Sequence, residues 1–154
     1  MPILYVIAAI AGLTAIFFWP RQAKWSIHGL LILLVAPVAL IMVQQPITTM
    51  IGLRMLGLGF LLTSVYALVK AGLSSEKRFI LLFTSSVTLL TVSFTTMHLP
   101  GAGILGLVCA INVGLYAYVM LRRRAAYRME LGILTIIAAE SLIRLIQSVF
   151  WLMP

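Results

Sequence analysis

Six apolar runs, at about residues 2–19, 25–43, 47–69, 79–98, 101–121 and 131–153, divide this chain from one end to the other. Each is close to the ~20 residues a helix needs to cross ~30 Å of hydrocarbon at ~1.5 Å per residue. A membrane β-barrel would instead alternate in polarity over segments of about ten residues, and no such period is present. The spacing predicts an all-α, polytopic integral membrane protein with six transmembrane helices. The longest connection, AGLSSEKR, leaves no room for a soluble domain, so residues 1–154 read as a single transmembrane helical domain.

Composition agrees. The chain is 63% hydrophobic and 9% charged, with a mean hydropathy of +1.17, whereas about a quarter of the residues of soluble domains are charged. Cys109 alone permits no disulfide framework within one chain. The first run has no basic residue before it and no processing site, which predicts a retained helix rather than a cleaved leader.

Charge placement predicts orientation. Of eleven Lys and Arg, nine fall in three connections: Arg21 and Lys24; Lys70, Lys77 and Arg78; Arg122, Arg123, Arg124 and Arg128. The alternate connections, around VQQP and HLPG, carry none. Basic connections stay cytoplasmic, so both termini are expected on the non-cytoplasmic side. Trp19, Trp25 and Tyr127 then fall at the inner interface and Tyr5 and Trp151 at the outer one, where amphipathic rings are favoured. The expected location is a cell membrane, with a bacterial inner membrane as the default. The net charge of +8 follows this orientation pattern, and no nucleic-acid partner is expected. The arginines at 122–128 fit an orientation signal that also meets anionic headgroups.

The polar residues inside the runs are the candidates for function. On a helical wheel Glu140, Ser141, Arg144, Gln147 and Ser148 share one face of the sixth helix, with Glu140 and Arg144 spaced i, i+4 for pairing. Charge at the bilayer centre costs at least ~2.5 kcal/mol on insertion scales, so this face should meet protein or a watered cavity. Depth counting brings Arg54 of the third helix to nearly the level of Arg144. Arg54, Glu140, Arg144 and Gln147 therefore form the expected binding cluster, with one positive charge in excess. A partner subunit's acid, a lipid phosphate or an anionic ligand would balance it, and arginine's planar fork suits all three.

Thr84, Thr88, Thr91, Thr95 and His98 form a stripe on the fourth helix, which predicts either helix packing or a polar path towards His98. Gly52, Gly57 and Gly59, and the series Gly106, Ala110 and Gly114, are expected at close helix contacts. Pro37 is expected to bend the second helix. His28 and His98 lie at levels too far apart to share an iron, and neither has ligands at metal spacing, so no metal or cofactor is expected. Nothing resembles a nucleophile with its base, and no enzymatic activity is expected. The sequence points first to a small integral membrane subunit of a larger complex, or a self-associating protein, and second to a compact transporter or channel for a small anion or protons.

Overall fold

The computed structural model describes residues 2–18, 25–43, 45–70 and 72–152. Trp19, Arg21 and Lys24 lie outside the described residues, as do the side chains of Tyr5, Trp25 and Trp151. Six α-helices account for the architecture: α1 (Pro2–Phe17), α2 (Trp25–Met42), α3 (Pro46–Val69), α4 (Ser75–Thr96), α5 (Ala102–Tyr118) and α6 (Leu131–Leu152). Each coincides with one of the apolar runs to within a few residues.

Local chemistry explains where the helices begin and end. Pro46 opens α3, where its missing N–H has no partner to lose. The Ser74 hydroxyl caps α4 by accepting from the Lys77 N–H at 3.3 Å, and Glu76 supplies a negative charge in the first turn. At the other end of α4, Leu99 N–H donates to Phe94 O at 2.9 Å and His98 N–H to Thr95 O at 3.3 Å. These are the paired bonds of a Schellman cap, and His98 takes its left-handed position with φ 53°. Pro100 then prevents continuation and Gly101, at φ 90°, starts α5. A π-helical turn, Val119–Arg123, ends α5.

Consecutive helices run antiparallel. One end of the bundle gathers Leu4 and Ala8 of α1, Val38 and Ile41 of α2, Leu53 of α3 and Gln147 of α6 around one cleft. The opposite end gathers Ala67 of α3, Leu81 of α4, Val119 of α5, and Tyr127 and Leu134 around one apolar cluster. A second cluster, including Ile27, Leu31, Leu34, Phe60, Ile133 and Ile137, fills the middle. Helix α6 is the most enclosed, with Leu131 to Ala138 buried throughout.

Backbone approach sets the α2–α3 contact. A Cβ at Gly52 would lie 2.8 Å from Ile41 Cγ1 and 3.0 Å from the Pro37 carbonyl oxygen, and one at Gly59 would press into Leu34. Gly59 also faces the Leu33 carbonyl, which Pro37 has deprived of its i+4 N–H. Proline and glycine thus lie against each other on two helices. Gly57 has more room, its nearest neighbour being Leu89 at 3.8 Å. The expected ridge on α5 resolves differently. Gly106 is pressed onto Ser148 and the Arg144 carbonyl of α6, but Ala110 and Gly114 are exposed. The buried positions of α5 are Gly106, Cys109 and Asn112, a three-residue step rather than the four-residue step of the small residues.

Four helices are long and apolar enough to cross a membrane: Pro46–Val69, Ser75–Thr96, Ala102–Arg123 and Leu131–Phe150. Val6–Phe17 and Ser26–Met42 are shorter apolar helices. Large apolar side chains such as Leu13, Ile47, Leu68, Ile104 and Leu121 point outward, as expected where the surrounding solvent is hydrocarbon.

Candidate functional site

Arg144 is the centre of the first bundle end. Its side chain is 9% exposed and that of Glu140 11%. Nε and Nη2 both donate to Glu140 Oε1, at 2.8 Å and 2.7 Å, and Nη1 donates to Gln147 Oε1 at 3.2 Å. Three of five guanidinium hydrogens are thereby used, and one on each terminal nitrogen remains.

Those hydrogens border open space. Arg144 lines three clefts, of about 370, 440 and 880 Å³. The first lies among α1, α2, α3 and α6 and also touches Glu140. The second lies among α4, α5 and α6, beside His98 and Ser148. The third runs between α3 and α4 and carries Arg54.

Arg54 departs from the sequence expectation. It is exposed, and among the described residues it forms no ion pair with Glu140, which is bound by Arg144 alone. The cluster is therefore one buried pair plus a separate arginine sharing a cleft with it. Depth counting placed Arg54 at the right level, but it cannot give the rotation of a helix about its axis. The count of charge at this end still stands: two guanidiniums face one carboxylate.

The threonine stripe divides. Thr84, Thr88, Thr91 and Thr95 each donate to the carbonyl four residues earlier, at 2.7–2.8 Å, so their hydrogens are committed to their own helix. Thr84, Thr88 and Thr91 are buried against α5 and α6, while Thr95 and His98 line the clefts around Arg144.

Sequence reasoning missed the residue that joins the inner part of this stripe to its neighbours. Asn112 of α5 is 1% exposed. Its Nδ2 lies 3.1 Å from Thr84 O and 3.0 Å from both Thr88 Oγ1 and Ser141 Oγ, and Thr88 and Ser141 also share a hydrogen bond at 3.0 Å. Its Oδ1 has no partner among the described residues. The signal available was one amide in an otherwise apolar run, a position that usually packs helices together.

The second bundle end is built on balanced charge. Lys77 Nζ meets Glu130 Oε2 at 3.3 Å, and Arg123 Nε lies 3.7 Å from Glu76 Oε1. Both pairs tie the start of α4 to the segment between α5 and α6. Lys70 Nζ bonds Tyr66 Oη. Tyr127, expected as an interfacial ring, is instead 1% exposed. Lys77 sits 5.2 Å over its ring, and its hydroxyl has no partner among the described residues. Burial, with the nearby Glu76, Tyr118 and Glu130, pushes the Tyr127 phenol up to about 12, against the opposing effect of Arg123.

Among the described residues no three His, Cys, Asp or Glu come together as a metal site, and His28 and His98 stand at opposite ends of the bundle. The chain matches no protein-family model, no curated protein and no solved structure. Its function has to be argued from the arginines and the clefts alone.

Proposed function

We propose that this chain is a six-span integral membrane protein, with both termini on the non-cytoplasmic side, that binds an anionic group in the clefts around Arg144. The observation carrying this reading is the charge count at that end. Arg54 and Arg144 border one cleft, and Glu140 is the only carboxylate paired there. Surplus cationic charge in a low-dielectric setting is stabilised by an incoming anion, and guanidinium binds carboxylate and phosphate with oriented N–H bonds. Gln147 and His98 supply further polar contacts at the cleft walls.

The two expected uses of such a site fit it unequally. A partner subunit would have to thread an acidic side chain into re-entrant space between helices, because Arg144 is buried. A ligand small or flexible enough to enter the clefts meets it directly. The ligand-binding reading therefore takes precedence, with transport as its natural extension: the clefts open at one bundle end, while Tyr127 and its neighbours close the other. No catalytic step is assigned to the chain.

The test is the thermal stability of the detergent-purified protein in sodium phosphate against sodium chloride at matched ionic strength. Wild type should gain several degrees in phosphate, in the manner of any ligand that binds only the folded state. Arg54→Gln and the charge-neutral double variant Glu140→Gln/Arg144→Gln should lose that gain. An equal response in all three would end the proposal. A protein that copurifies with wild type and is released by Arg54→Gln would transfer the site to a partner's acidic residue.

A further inference from the structure

The cleft between α3 and α4 is much larger than an anion needs, and it is not closed on its outer side. Its volume of about 880 Å³ equals roughly thirty water molecules at ~30 Å³ each, whereas a phosphate or carboxylate displaces only a few. The space beyond the charged mouth is walled by Gly57, Leu58, Leu61, Leu89 and Val92. Leu58 and Leu61 are 48% and 47% exposed, so this apolar stretch opens sideways towards whatever surrounds the bundle. Along α3, Leu61 lies seven residues beyond Arg54, about 10 Å deeper at 1.5 Å per residue. A charged mouth and an apolar trough are thus aligned on one helix face.

Resting on the anion-binding reading above, the geometry points to an anionic phospholipid as the occupant, its phosphate held between Arg54 and Arg144 and one acyl chain lying in the trough past Gly57. Charge complementarity selects it: the mouth carries two guanidiniums and one carboxylate, a surplus of one positive charge that one phosphodiester neutralises. Arg54 is suited to this role because its long side chain can extend from within the hydrocarbon towards the headgroup level. Gly57 is the notch, since a side chain there would project into the trough. Lateral opening also removes the need for the ligand to cross water, and a lipid is already present at high local concentration.

The experiment is native mass spectrometry of the delipidated full-length protein titrated with dioleoyl phosphatidylglycerol or dioleoyl phosphatidylcholine. Wild type should take up one phosphatidylglycerol with at least about tenfold preference over phosphatidylcholine, and Arg54→Gln should abolish that preference. Gly57→Leu, whose added bulk meets only Leu89 at ordinary contact distance, should weaken phosphatidylglycerol binding by about tenfold while keeping the stabilisation by inorganic phosphate. Leu61→Asn makes the same test without adding bulk. Equal binding of the two lipids, or wild-type lipid affinity in both trough variants, would overturn the lipid assignment and leave the anion site standing. Loss of the inorganic phosphate effect in wild type would remove both.

Discussion

The two ends of this bundle treat charge in opposite ways. At the Lys70–Arg123 end each acid has its own base, Glu130 with Lys77 and Glu76 with Arg123, and apolar side chains close the space between them. At the Arg144 end the helices stand apart around three clefts, and basic groups outnumber acidic ones. Balanced pairs beside a packed cluster serve to join helices. Unbalanced charge beside open space serves to receive something. The same residue types thus carry different meaning according to whether the packing around them is complete.

The sharpest way to break this contrast is to remove one member of each pair. Glu140→Gln strands Arg144 inside the bundle and should cost about 3–5 kcal/mol, while the double change with Arg144→Gln should recover much of it. Lys77 is more exposed than its partner, and Lys77→Gln should cost less, about 1–3 kcal/mol for the carboxylate it leaves unsatisfied. Denaturant unfolding in detergent ranks the two. If Lys77→Gln proves the more harmful, the closed end rather than the cleft end holds the critical charge.

Backbone proximity offers a second comparison. Gly106→Ala would place a methyl 3.0 Å from the Arg144 carbonyl and should cost about 1–3 kcal/mol by pushing α5 from α6. Gly114→Ala meets nothing within 4 Å and should stabilise by about 0.5–1 kcal/mol through helix propensity. Thermal unfolding of the two variants checks the pair, and equal effects would contradict the described α5–α6 contact.

The smallest effect concerns Tyr127. Its hydroxyl is buried without a partner, so Tyr127→Phe should be neutral or stabilising by about 1 kcal/mol at pH 7. The folded phenol titrates near 12, above its ordinary value of about 10. Stability from this group is therefore complete below pH 10 and is lost as pH rises towards 12. The Phe variant should show a shallower alkaline decline in that window, and identical alkaline profiles would contradict the burial of this hydroxyl.

Much of this was legible in the sequence. Apolar length placed the six helices, and Pro46, Ser74, Pro100 and Gly101 mark boundaries by chemistry that acts within a few residues. The Glu140–Arg144 pair was equally legible, because i, i+4 spacing on one helix fixes which side chains meet. What was not legible depends on rotation between helices. Arg54 stood at the expected level yet turned away from Glu140, and the α5 contact follows Gly106, Cys109 and Asn112 rather than Gly106, Ala110 and Gly114. Asn112 escaped notice because a single polar residue has no period. Glu130 escaped because a loop acid beside four arginines reads as solvated, whereas here it is buried beside Lys77.

The π turn at Val119–Arg123 gives the end of α5 one residue of slack relative to a regular α-helix. Removing one residue there would wind the segment back into α form and swing Arg123 about 100° around the axis, out of reach of Glu76. The fastening between α4 and the α5–α6 segment thus hangs on a single inserted residue, at a place where lengthening or shortening the chain by one would reset it without disturbing the helices themselves.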